Sequence, residues 1–470
     1  MRTRPSSLGP SSLLVTALAL WACSSPAPRE ASSPQSTSQP QPTRPQTGVP
    51  GSVVRIPVRG GTPLLYRLPG LVEVAGELRG RVPAVERVVG LDPEGEFLYV
   101  QTGKRELLAF DLESGRIDTV ATGIERAALG PDHTLYAIDS GRKVVSVARR
   151  VRFVWPQTLA ALPTDVFGAT DQRLVAVVRQ TPARLITAAA DQPPVTRAVP
   201  AGGDVAASFW GDVVAVAGDS GVTLLDPLGG REPAFVPLAD HPRALAFSPS
   251  GHRVYVARRA SFGLAVVDRY ERREADGIAL PAPAATIRLD PFGRWLLARP
   301  AVGDSVWVVD LPVKALTGGL ATSWAADLPA VGPGGVLVVR QGADVVAYRA
   351  DSLVEAGRVA GGAADLWVVT PWRPRGAGAP RLEAAVAAAD SVGAEGPLYV
   401  QVSVSRNQAW STEMAAQLER AGLAARVLPP SADRPDEGYR VVLGPYATRS
   451  HAEAIGRKLG RPYWIYQPEL

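Results

Sequence analysis

Six side chains near the C-terminus have types and spacing suited to gripping a sugar polymer: Tyr399, Gln401, Ser403, Arg440, Trp464 and Tyr466. Aromatic rings pack against the apolar side of pyranoses, while a carboxamide, a hydroxyl and a guanidinium bond hydroxyls, acetamido groups or a lactyl carboxylate. They act together only if one surface displays them all. Leu398, Val400, Val402 and Val404 alternate with Tyr399, Gln401, Ser403 and Ser405, the period-two pattern of a strand buried on one face. With the valines inward, Tyr399, Gln401 and Ser403 lie on the open side. The same parity in the run 439–444 puts Arg440 and Val442 outside and Tyr439, Val441 and Leu443 in the core. In the last strand it sets Trp464 and Tyr466 opposite Tyr463 and Ile465.

The elements that would hold this surface follow from the intervening segments. Trp410, Met414 and Leu418 repeat every four residues up to Gly422, which predicts an amphipathic helix with a glycine stop. Residues 425–428 form a further short strand. Ser450 and Glu453 have capping-box spacing, and Ala452, Ile455 and Leu459 line a second helix that ends at Gly460. The order βαββαβ builds a four-stranded sheet with both helices on one face and the other face bare. This stretch resembles a SPOR domain, through Tyr399-Val400-Gln401-Val402, Gln417-Leu418 with Ala421-Gly422, and Tyr439-Arg440-Val441-Val442-Leu443-Gly444-Pro445-Tyr446 followed by Ala452-Glu453-Ala454. The resemblance implies binding to peptidoglycan glycan strands stripped of their stem peptides, with Gln401 and Arg440 at glycan-contacting positions. The first strand departs from the family in ending Ser403-Val404-Ser405 where a Gly-Ser/Ala-Phe type ending is usual.

Upstream, the chain repeats. Turn signals recur at Asp92-Pro93-Glu94-Gly95, Gly130-Pro131-Asp132, Thr170-Asp171-Gln172, Trp210-Gly211-Asp212, Ser248-Pro249-Ser250-Gly251, Asp290-Pro291-Phe292-Gly293 and Gly332-Pro333-Gly334-Gly335, about forty residues apart. That period, with several short strands per repeat, predicts β-propeller blades, and the units resemble YVTN/WD40-like repeats. Asp111, Asp226, Asp268 and Asp310 end equivalent third strands and are expected as turn formers. Residues 364–370 read as a first strand with no companions after it, while 53–58, 64–68 and 71–78 supply three. The expectation is therefore a mainly β chain whose propeller has eight blades with one split between the termini, or seven, followed by a small α+β module.

At the N-terminus, Arg2 and Arg4 precede an apolar run, 13–21, too short to span a bilayer. It ends Leu20-Trp21-Ala22-Cys23, which resembles the lipobox of bacterial lipoproteins and implies lipidation of Cys23, the one cysteine. Ser24 after it implies retention at the outer membrane, facing the periplasm. The expected organisation is a signal peptide at 1–23, a disordered Ser/Pro/Gln tether at 24–51, the propeller at 52–370, a Pro/Gly/Ala linker at 371–396 acting as a hinge, and the SPOR-like domain at 397–470.

Composition excludes several classes. Net charge is +5 with no run of like charges, which does not support nucleic-acid binding. The four histidines include no pair at metal-ligand spacing, and His252, after a turn glycine, is expected in solvent. No nucleophile elbow or phosphate loop is present. No catalytic residue, metal or cofactor is expected. The partners expected are glycan strands, the membrane through the lipid, and an envelope protein on the propeller, in a protein working at the division septum. The alternative is a propeller hydrolase or lyase acting on wall or carbohydrate substrates, targeted by the C-terminal module.

Overall fold

A propeller blade is covered on both faces by its neighbours, so its middle strands read as unbroken apolar runs. Such runs occur here at Phe97–Thr102, Arg173–Val178, Arg253–Arg258, Trp295–Pro300 and Val336–Gln341, and the first of these is buried at every position. In a computed structural model of the protein, residues 51–370 and 397–467 are described, with short interruptions of which 431–437 is the longest. The expected signal sequence with Cys23, the expected Ser/Pro/Gln tether and the expected linker at 371–396 lie outside the described residues.

Residues 51–370 form a ring of eight antiparallel sheets. Blades 1 to 7 occupy 85–121, 124–158, 165–198, 205–237, 242–279, 284–321 and 330–359. Blade 8 is the split one: Leu366–Thr370 pairs with Ser52–Ile56, followed outward by Leu64–Arg67 and Val72–Val74. Its register sets Val53 opposite Val369 and Val54 opposite Val368. Strand alternation then sends successive valines to opposite neighbours: Val53 packs with blade 7 and Val54 with blade 1. Apolar clusters of this kind fill the space between every adjacent pair of blades, so the core is a circle of eight interfaces. Each fully buried Val, Leu or Ile contributes about 1.5–3 kcal/mol.

The repeated turns close as their residue types require. The Asp290 carboxylate accepts the N–H groups of Arg294 at 3.2 Å and Trp295 at 2.8 Å, and Gly293 takes the positive φ (74°) that a side chain would resist. Asp111 accepts the Ser114 N–H, and Asp268 accepts those of Tyr270 and Glu271, all at 2.9 Å, so these strand-ending aspartates form turns.

Polar bonds join consecutive blades. Arg126 donates to the Thr164 carbonyl, Arg179 to that of Gly203, Arg288 to that of Pro329, and Arg340 to those of Ala363 and Asp365. Asp204 accepts the Leu245 N–H at 2.8 Å. Arg340 is held bidentately by Asp327, at 3.0 and 2.6 Å, and the same carboxylate accepts the Trp367 N–H of the split blade. Hydrogen bonds to charged groups each contribute about 1.5–3 kcal/mol, and here they tie the ring at the seam where it closes.

The C-terminal module contains strands β1 (Leu398–Ser405), β2 (Ala425–Leu428), β3 (Tyr439–Tyr446) and β4 (Trp464–Tyr466), and helix α1 (Gln408–Arg420). The sheet order is β2-β3-β1-β4, antiparallel throughout. Trp410, Met414 and Leu418 of α1 are buried against Val400, Val441 and Leu443, as the four-residue spacing predicts. The helix stops at Gly422, whose φ is +81°, with the Leu423 N–H returning to the Leu418 carbonyl at 3.0 Å. Of the second helix, His451, Ala452, Ile455 and Gly456 are helical, and Ala452 is fully buried; Ser450 and Glu453 of the expected capping box lie outside the described residues.

Candidate functional site

The sheet face away from α1 gathers polar and aromatic groups from three strands. Cα pairing runs Arg426, Val442, Gln401, Trp464 across the sheet, and Tyr399 is paired with Tyr466. Arg440 donates to the Gln401 carboxamide oxygen at 3.3 Å, so the structure brings together the two residues singled out in the sequence. Tyr399 sits on the same face, two residues before Gln401. The side chains of Trp464 and Tyr466 lie outside the described residues.

Two expectations for this face are corrected. Ser403 does not continue the row of Tyr399 and Gln401: its Cα partner is Val441, a helix-side core residue, because the ladder slips between Gln401 and Ser403. That β-bulge places one extra residue in β1 and shifts the alternation by one. Tyr399 and Val442 are only 7% and 0% exposed, so the centre of the face is not bare. The reason for Tyr399 is a residue that pattern reading passed over. Arg426 of β2 reaches across β3 and stacks its guanidinium 4.5 Å above the Tyr399 ring. Its Nε and Nη2 are buried and have no hydrogen-bond partner among the described residues.

The opposite side of the module is engaged by the propeller. The sequence suggests a hinged connection, whereas α1 packs on the rim of blades 4 and 5. Trp210, from the turn of blade 4, joins the same apolar cluster as Trp410, Met414 and Leu418. Gln417 donates to Asp212 at 2.8 Å, and Arg231 pairs with Glu413 at 2.7 Å. Arg269, 5% exposed, is bonded to Asp212 and lies 3.6 Å from Glu413. Burial alone would push the Asp212 carboxyl up, but the Arg269 charge and hydrogen bonds from Ser208, Arg269 and Gln417 hold it below the usual carboxylate range. His252 is likewise not a solvated turn residue. It bonds Asp268 at 2.7 Å and its ring lies 5.4 Å from that of Trp410 and 5.3 Å from that of Tyr270. A cleft of about 250 Å³ beside this contact is lined by Arg231, Arg272, Glu232 and Glu413, with charges of both signs.

Chemically, the described residues of the sheet face offer hydrogen-bond donors and a stacked cation. Among the described residues no group of three His, Cys, Asp or Glu side chains is placed to hold a metal ion. Among these residues, too, no helix is long and apolar enough to cross a membrane.

Comparison with known proteins agrees with this division. Residues 394–462 match the SPOR domain family. The C-terminal module is a SPOR domain. No curated protein matches the chain. Among solved structures, the propeller is similar to apo AztD from Citrobacter koseri, with TM-score 0.52 and 12% identity over 68% of this chain and 98% of that one. A second AztD structure from the same organism gives TM-score 0.51 at 12% identity, again over 68% and 98%. Dihydro-heme d1 dehydrogenase NirN, in complex with DHE, gives TM-score 0.49 at 16% identity over 68% of this chain and 75% of that chain. At these identities the likeness concerns the fold alone. The SPOR domain follows the propeller and packs on it through α1, leaving its sheet to face elsewhere.

Proposed function

We propose that this is a cell-envelope protein whose SPOR domain binds stem-peptide-free glycan strands of peptidoglycan, and whose propeller is a scaffold for a partner protein of the envelope. The observation that carries the reading is the bonded pair Gln401 and Arg440, inside the SPOR match and on the face that α1 leaves free. An amide and a guanidinium side by side supply donors and an acceptor for the hydroxyl and acetamido groups of such a strand. In this reading Trp464 and Tyr466 are the aromatic platform of the same site, and Tyr399 acts from beneath Arg426. In this reading Cys23 is lipidated and the tether lets the ring stand off the outer membrane on its periplasmic side. The domain then collects the protein where amidases bare the glycan, as at the division septum. Arg126, Arg179 and Asp204 each bond across to the neighbouring blade, which fits a rigid scaffold.

The test is co-sedimentation with amidase-treated sacculi. Replacing Gln401 and Arg440 by alanine together is expected to weaken pelleting at least about tenfold, the loss of two hydrogen bonds of about 1 kcal/mol each. Unchanged pelleting of the double variant would remove the site.

A further inference from the structure

The two most deeply buried arginines among the described residues have carboxylate partners: Arg269 has Asp212, and Arg340 has Asp327. Arg426 on the sheet face differs. Its guanidinium is oriented by the Tyr399 ring, and its Nε and Nη2 hydrogens, on one edge of the guanidinium plane, have no acceptor among the described residues. Buried donors left unmade are costly, so a ligand that supplies the acceptors recovers that cost. The Nε/Nη2 edge is the side of a guanidinium that matches the two oxygens of a carboxylate in a bidentate pair.

We propose that Arg426 is a carboxylate fork that recognises the free lactyl carboxylate of a muramic-acid sugar, and so makes the site selective for strands without stem peptides. This rests on the glycan-binding reading above. In a bare strand each muramyl unit carries an anionic carboxylate; with a stem attached, the same carbon is a neutral amide with one oxygen and a bulky substituent. The first fills both N–H positions of the fork and balances its charge. The second leaves one donor unmade and the charge unpaired, a difference of the kind that discriminates strongly in a closed site. Gln401 and Arg440 lie along the same face and would hold the neutral part of the sugar. Both fork atoms are shut off from water, so binding requires the guanidinium to swing outward on its flexible stem, keeping its contact with the tyrosine.

The experiment uses the full chain and two preparations of amidase-treated glycan strands, one native and one with its carboxylates coupled to methylamine. The native chain is expected to bind the blocked strands at least about tenfold more weakly, the worth of one charge-assisted pair. Arg426→Lys, which keeps the charge and removes the fork, and Arg426→Gln are expected to bind both preparations at the weaker level. Equal binding of native and blocked strands by the unaltered chain overturns the fork while leaving glycan binding in place. That arm needs no variant, so it stands even if the substitutions unfold the domain. Failure of the unaltered chain to bind native bare strands overturns the glycan reading and the fork with it.

Discussion

His252 and Asp268 show how a blade turn was turned into a contact. Burial works against the Asp268 charge, but the bond to His252 and the backbone N–H groups of Glu271 and Tyr270 outweigh it and hold the carboxyl at about 2, below its ordinary 3.8. A carboxylate depressed in the folded state stabilises fully above its unfolded value, and the benefit fades as pH falls through the folded one. The melting temperature of the native chain is therefore expected to exceed that of Asp268→Asn above pH about 4, and the gap to close towards pH 2. Calorimetry of both chains across that range measures it, and a gap that persists at pH 2 contradicts the assignment. Gln401 and Arg440 were legible from alternation alone. Ser403 was not, because one bulge residue reverses parity downstream, and a bulge leaves no mark in a run of small polar and β-branched residues. Arg426 was missed because it lies in a four-residue strand with no periodic signal, and its partner is reached only across another strand.

At the scale of elements, α1 has two jobs. Its apolar stripe packs the SPOR sheet, a role that its spacing predicts, while Glu413 and Gln417 reach the propeller. Asp212 is the hinge of that second contact, since it accepts from Ser208, Arg269 and Gln417 together. Asp212→Ala removes one partner of a buried pair and leaves Arg269 with the more distant Glu413, a loss of about 3 kcal/mol. The expected outcome is release of the domain from the rim, read as faster amide exchange in α1 and faster tryptic cleavage within 371–396, together with a lower melting temperature of the propeller, to which Asp212 and Arg269 both belong. Exchange in α1 identical to the native chain would mean that the docking does not depend on this network. The contact keeps the opposite face of the SPOR sheet directed away from the ring.

For the whole molecule, closure is the decisive event. A chain lacking Ser52–Ile56 loses the strand between Leu366–Thr370 and Leu64–Arg67, and with it the burial of Val53, Val54 and Ile56, about 1.5–3 kcal/mol each. Such a chain is expected to melt lower and over a broader range, and to expose the edges of blades 7 and 1; an unchanged calorimetric transition would contradict the closure. Much of this architecture was written in the order of residues. A forty-residue period, apolar runs of strand length and turn aspartates depend on neighbours a few positions apart, and they fixed the blades, the split seam and the βαββαβ module. The Arg426–Tyr399 stack, the bulge at Ser403 and the docking of α1 through Asp212 and His252 join residues up to 205 positions apart, and no local pattern encodes such a meeting. Those contacts were decided only by the closed ring and the folded sheet, whose shapes bring distant groups within hydrogen-bonding range.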